Sequence, residues 1–203
     1  MKLRKLIKIL LICLFVVIIN GCQNSNLTLD YLEINKEEIG EDGSFYEYTE
    51  IVKVPSFNLL NQDNMYLSNS DLLGSNYIVN FFFTSCPTIC PTTTLNLIEL
   101  QKKIKQEDIG EFKIISISVD PNNDTPEILK QYASSMNIDV TNWEFLTGSQ
   151  DEIYNIVQSG FMLAVGQDSL APGGVFHSSM ITIVDDKGYI THIIPPKEVP
   201  IAE

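Results

Sequence analysis

Two apolar runs, YIVNFFFT (Tyr77–Thr84) and FKIISISV (Phe112–Val119), constrain the fold of this chain more than any other feature. Both are almost unbroken in hydrophobicity, as expected of strands covered on both faces. Between them lies TTTLNLIELQKKIKQ, where Leu95, Ile98 and Ile104 fall on a helical stripe, Leu97 and Leu100 widen it, and lysines stand opposite. Pro91 sits where a first helical turn favours proline. A strand, a helix and a second buried strand make a crossover unit whose strands run parallel.

The remaining punctuation extends this unit. NDTPEILKQYASSM starts a second helix, with Thr125 at its N-cap and Pro126 at its first position. WEFLTG reads as a third short strand, and Ser149 to Glu152 as a capping box opening QDEIYNIVQS. MITIVDD, Lys187-Gly188 and YITHII read as a closing β-hairpin. The order is β-α-β-α-β-α-β-β, preceded by extra N-terminal strands. It predicts an α/β protein with a mixed central sheet flanked by helices, parallel in its first part and antiparallel at its end. The order resembles a thioredoxin-like fold. About 180 residues beyond the N-terminal segment suit one domain with a real core.

The first core strand runs directly into FFFTSCPTIC, so Cys86 and Cys90 occupy a strand-to-helix turn. That turn lies at the carboxyl end of the sheet, where open α/β folds place their sites. A disulfide between residues four apart closes almost no loop and adds little entropic stability, which argues against a purely structural role. A helix beginning at or just after Cys86 would put both sulfurs on one side of its first turn. Its N-terminus would lower both thiol pKa values. Two adjacent thiolates either exchange a disulfide or bind a soft metal such as Cu(I). A third ligand would decide between them. His177 follows SLAPGGVF and leads into the strand that opens the terminal hairpin, a path that crosses the cysteine turn in a thioredoxin-like order. Spacing alone leaves it equally readable as a locally satisfied loop histidine. His192, inside YITHII, reads as a surface or edge residue. Pro172, Gly173 and Gly174 predict an adaptable loop before His177.

The N-terminus sets the expected compartment. Lys2, Arg4, Lys5 and Lys8 precede an unbroken apolar run from Ile9 to Ile19, followed by Asn20, Gly21 and Cys22. The run is short for a membrane span and has the layout of a secretory signal. INGC is similar to a bacterial lipobox. Residues 1–21 are therefore expected to be a lipoprotein signal peptide, with Cys22 lipidated. Residues 22–45 would be a flexible tether and residues 46–203 the folded domain. The alternative is an uncleaved anchor. Both place the domain on the extracytoplasmic face of a bacterial cell membrane. Cys13 falls in the signal, leaving Cys86 and Cys90 as the thiols of the domain. All 26 acidic residues follow Cys22 but only 9 of the 13 basic ones do, so residues 23–203 carry 9 − 26 = −17 and no arginine. Such a surface repels nucleic acid.

TSCPTICPTT, SVDPNNDTPEILKQYA, WEFLTG and VFHSSMITIVDDKG together resemble the SCO/SenC family, over about Ile51 to Ile194. The resemblance implies a membrane-attached, thioredoxin-like protein binding a copper ion, Cu(I) or Cu(II), through Cys86, Cys90 and His177. It implies a metallochaperone role in building the binuclear copper centre of cytochrome c oxidase subunit II. Subunit II and a copper donor protein would be its partners. Thr88 departs from the acidic residue many members carry after the first Cys-Pro. Asp120 and Asp124 also match family positions and read as structural, one ending a strand and the other preceding a helix. The competing reading is a dedicated thiol–disulfide reductase cycling through a Cys86–Cys90 disulfide, with Cys86 attacking and Cys90 resolving, on an oxidase subunit or another exported protein. A peroxidase is disfavoured because such sites use an arginine to activate the thiolate, and residues 23–203 have none.

Overall fold

A computed structural model describes residues 33–39, 45–106 and 112–195. The expected signal peptide, Cys22 and the tether up to residue 32 lie outside the described residues. In chain order the strands are β1 (Glu33–Ile39), β2 (Phe45–Ile51), β3 (Asn58–Asn61), β4 (Tyr66–Ser68), β5 (Asn76–Phe82) and β6 (Phe112–Ser118). They continue with β7 (Trp143–Thr147), β8 (Val165–Gln167), β9 (Val175–His177), β10 (Ile181–Val184) and β11 (Ile190–Ile194). The α-helices are α1 (Ile89–Gln106), α2 (Pro126–Ser135) and α3 (Gln150–Asn155). No described helix is long and apolar enough to cross a membrane.

The main sheet has seven strands in the order β11-β10-β5-β6-β7-β3-β4. The apolar runs, β5 and β6, are parallel neighbours at its centre, and β7 continues the parallel part. β10 joins β5 antiparallel and hairpins to β11, with Gly188 in the turn at φ 84°. Strand β5 is buried on both sides from Tyr77 onward. Phe82 points to one face, where its ring lies 5.4 Å from Tyr132 of α2, and Phe81 to the other, 5.1 Å from Phe161. Helical layers therefore cover both faces, the thioredoxin-like arrangement predicted. A polar line crosses the buried centre. The Trp143 indole donates to Ser116 Oγ at 2.9 Å, and Ser116 Oγ donates to Asn80 Oδ1 at 2.6 Å. Asn80 thus interrupts the apolar run without leaving a buried amide oxygen unpaired.

Several expectations shift. Strand β1 pairs antiparallel with β2 over Glu33–Ile39, so regular structure begins inside the segment expected to be a tether. On α1 the buried line is Cys90, Thr93, Thr94, Leu97, Gln101 and Ile104, while Leu95 is 54% exposed. The stripe is rotated because polar members find partners inside. Thr94 Oγ1 pairs with Tyr132 Oη at 2.9 Å, and Gln101 donates to the Asp139 carbonyl and Asn142 Oδ1. Thr125 and Pro126 start α2 as predicted, with Thr125 Oγ1 accepting from the Ile128 N–H. Ser149 caps α3 by accepting from the Glu152 N–H.

Candidate metal centre

The strand-to-helix turn is built by a buried strap. Asp124, 1% exposed, accepts from the Thr84 N–H at 3.0 Å, Thr84 Oγ1 at 2.5 Å and Ser118 Oγ at 2.5 Å. One carboxylate thereby ties the end of β6 to the chain just past β5. Both Asp120 carboxylate oxygens accept from the Asn123 side-chain amide, fixing the loop that carries Asp124. Both aspartates have the structural roles read from the sequence. Beyond Thr84 the Cys86 N–H donates to the Phe83 carbonyl at 3.2 Å, closing a tight turn. Helix α1 starts at Ile89, so Cys90 sits in its first turn and Cys86 ahead of it.

His177 arrives from far along the chain. Strands β8 and β9 form a separate antiparallel ribbon, with Val165 opposite His177. The ribbon rests on the cysteine turn at two points. Gly173, at φ +81°, leaves room that a Cβ would take within 2.6 Å of the Phe83 ring. The His177 ring stands edge-on to Phe83 with centroids 5.6 Å apart. Ala171–Gly174 is accordingly a tight β-turn seated on the core, closed by the Gly174 N–H donating to the Ala171 carbonyl at 2.9 Å, with both glycines at positive φ.

The ligand atoms of Cys86, Cys90 and His177 all lie within 4.8 Å of one another. No other group of three or more potential metal-holding His, Cys, Asp and Glu side chains occurs among the described residues. Both cysteines are free thiols and buried. His177 Nδ1 is 2.9 Å from the Ser178 carbonyl, which can only accept, so Nδ1 carries the ring proton. That leaves the Nε2 lone pair facing Cys90 Sγ at 3.6 Å. Burial pushes the His177 pKa below its usual value, against a smaller opposing effect of the Ser178 bond, so the ring is neutral near pH 7. Neutral imidazole, lone pair inward and distal nitrogen anchored, is the form a metal ligand takes.

The two thiols are not alike. Burial pushes both up. At Cys86 it is outweighed by hydrogen bonds from the Cys90 thiol, the Thr88 and Cys90 backbone and the Thr88 hydroxyl, so its pKa ends below the usual value. At Cys90 deeper burial dominates, and donating to Cys86 adds to it, raising the pKa to about 12. The expected fall of both values is therefore corrected to a fall at Cys86 and a rise at Cys90. Thr88 Oγ1 lies 3.6 Å from Cys86 Sγ. A carboxylate there would repel the thiolate, whereas a hydroxyl stabilises it. His192 lies exposed on edge strand β11, away from this cluster, as expected.

Sequence reasoning missed Phe83 as the platform for His177, the ribbon that carries it, and the Thr88 contact. The signals were present only as an apolar residue ending a core strand and a Pro-Gly-Gly turn ahead of VFH.

A family model described as SCO1/SenC matches residues 48–202. The SCO1 protein homolog of Bacillus subtilis (strain 168) is 39% identical over 143 residues, covering 68% of this chain and 71% of that protein. Among solved structures, BsSco is described as having a disulfide switch and as a member of the Sco family of cytochrome c oxidase assembly proteins. It aligns at 36% identity with a TM-score of 0.64, over 72% of this chain and 85% of its own. ScoI of Bradyrhizobium japonicum with copper bound aligns at 25% identity with a TM-score of 0.62, over 73% of this chain and 94% of its own.

Proposed function

This chain belongs to the SCO1/SenC family, and we propose on that footing that it is a copper metallochaperone for cytochrome c oxidase. It would hold a copper ion, Cu(I) or Cu(II), on Cys86, Cys90 and His177 and serve assembly of the binuclear copper centre in subunit II. The observation that carries this reading is the convergence of two thiols and one imidazole nitrogen within 4.8 Å. Copper is the cargo here. Two sulfurs favour the reduced ion, and the added nitrogen makes the set tolerant of the oxidised one. The chain's own residues prepare the site in three ways. Cys86 offers a thiolate readily. The Ser178 carbonyl keeps the His177 lone pair pointed inward. Cys90 must surrender its proton on loading, so uptake releases protons and weakens as pH falls.

A basic start, a short apolar run and INGC support lipidation at Cys22 after removal of residues 1–21. On this reading the domain works at the extracytoplasmic face of the cell membrane, and a separate protein donates the copper.

The asymmetry of the thiols favours a second activity, thiol–disulfide exchange. A low-pKa Cys86 is the attacking sulfur, and Cys90, protonated until the mixed disulfide forms, resolves it. The two roles are compatible, because an oxidised pair cannot ligate the metal.

Anaerobic titration of the reduced protein with Cu(I) tests the reading. About one equivalent should bind, with binding lost in Cys86→Ala and weakened in His177→Ala. A reduced wild type that takes up no copper would leave only the thiol reductase.

A further inference from the structure

The thiol–imidazole cluster opens onto a cleft of about 160 Å3 whose walls include Phe83, Cys86, Thr88, Ile89, Pro172 and Phe176. Its surroundings are apolar and accessible. Ile89 is 39%, Phe176 45% and Leu170 91% exposed, and Leu170 immediately precedes Ala171 in the cleft wall. The Phe176 ring lies over Gly166, where a Cβ would come within 2.5 Å of it, so this aromatic wall packs closely on the facing strand.

Its walls carry no Asp, Glu, Lys or Arg, and the two chain segments that build it carry almost none. Tyr77–Ile98 contains no Asp, Glu, Lys or Arg, and Ile153–Val184 contains Asp168 alone. The Asp168 carboxylate is engaged locally, accepting from the Leu170 N–H at 2.9 Å. In a chain with 26 acidic residues this is an uncharged window framing the reactive groups. Depletion of charge with exposed aromatic and aliphatic side chains is the composition of an interface core. The size of the cleft narrows the occupant. It falls below the roughly 300–1,000 Å3 of small-molecule sites. It is close to the about 150 Å3 that accommodates one benzene ring. One large apolar side chain is of the size to fill it. Cys86 forms part of the wall, so whatever chain carries that side chain brings its next residue against the sulfur.

We propose that this window is the docking surface for an extended, uncharged segment of a partner protein in which a large apolar residue adjoins a cysteine. The apolar side chain seats in the cleft between Ile89 and Phe176, and the partner sulfur lies against Cys86. A bilayer would also meet Leu170 and Phe176, but it presents no sulfur and has no side chain to occupy a one-ring cleft. The proposal rests on the reading above only in requiring a reactive Cys86.

The test uses the full chain, reduced, with two end-capped neutral peptides, Gly-Gly-Phe-Cys-Gly-Gly and Gly-Gly-Gly-Cys-Gly-Gly, each as a mixed disulfide with thionitrobenzoate. The Cys86 thiolate attacks the peptide sulfur, forming a protein–peptide disulfide and breaking the bond to thionitrobenzoate, which leaves as a coloured thiolate. Cys90 then attacks the Cys86 sulfur and loses its proton to water. The product is a Cys86–Cys90 disulfide, and the peptide departs as a free thiol. Two thiols are oxidised and one disulfide is reduced. Rates are expressed relative to neutral dithiodipyridine, which needs no docking.

The Phe peptide should react about tenfold faster than the Gly peptide, the worth of burying much of one aromatic ring. The preference should persist from about 0.02 to about 0.5 M salt, since no charge is used. It should shrink to about twofold in Phe176→Ala and fall partway in Leu170→Ser, whose site is too exposed to affect folding. Equal relative rates for the two wild-type peptides, or an unchanged preference in both variants, would overturn the proposal while leaving Cys86 chemistry intact. In phosphatidylcholine vesicles, loss of the preference with hydrogen-exchange protection of residues 166–178 would assign the window to lipid instead. Inertness toward dithiodipyridine as well would sink the thiol reading and the docking proposal together.

Discussion

At the scale of single residues, the site is defined by differences between side chains that look equivalent in sequence. Cys86 and Cys90 share a motif, yet one thiol lies below its ordinary value of 9.0 and the other is raised to about 12. Iodoacetamide should therefore modify Cys86 first as pH rises, with Cys90 reacting only in more alkaline solution. Peptide mapping by mass spectrometry reads this directly, and equal labelling at neutral pH would contradict the assignment. Gly173 has an equally specific role. Gly173→Ala adds a Cβ at φ +81° that meets the Phe83 ring at 2.6 Å. The backbone strain and displaced ring should cost about 1–3 kcal/mol in urea unfolding and also weaken copper affinity, because His177 leans on the same ring. Gly174→Ala, with comparable φ but open space around its Cβ position, should show only the strain.

At the scale of elements, the cysteine turn depends on a loop 40 residues away, through the Asp124 carboxylate on Thr84. Asp124→Ala leaves the buried Ser118 hydroxyl and the half-buried Thr84 N–H and hydroxyl without an acceptor and should lower stability by about 2–3 kcal/mol, seen as a fall in Tm. A loss under about 1 kcal/mol would mean that water replaces the strap. How legible each element was follows from its physics. Strands β5 and β6 and the terminal hairpin were readable because burial on both faces writes an apolar run and Gly188 marks the turn. The inward face of α1 was misassigned because Thr94 and Gln101 are buried, and their partners Tyr132, Asp139 and Asn142 come from other elements. The β8–β9 ribbon escaped notice because strands of three residues, one holding Gly166, write no periodicity. The convergence of Cys86, Cys90 and His177 was legible through the family motifs. The unequal titration of the thiols was not, because it depends on how deeply each sulfur lies and on which donors fold around it.

At the scale of the whole molecule, charge is unevenly used. The chain is strongly acidic, yet its described ion pairs are few and peripheral. One is Lys105 with Asp139, both about half exposed. Lys105 is the main cause holding the Asp139 carboxyl at about 2, below its ordinary 3.8. A depressed carboxylate stabilises the fold above its unfolded value. This contribution is therefore complete above about pH 4 and fades as pH falls through about 2. Lys105→Met should lower stability near pH 7 by less than about 1 kcal/mol, given the exposure, with the deficit vanishing near pH 2. Denaturation at both pH values checks the sign, and a deficit that grows in acid would reverse it.

Cys90 and His177 are 87 residues apart in sequence, one on the first core helix and the other on a late ribbon. A chain stopped before β9, or one whose ribbon has not docked, presents a bare dithiol with no imidazole. On the proposed copper-carrying reading, full three-ligand loading would wait until the carboxyl-terminal third has folded back onto the centre, so the site is completed only in the finished fold.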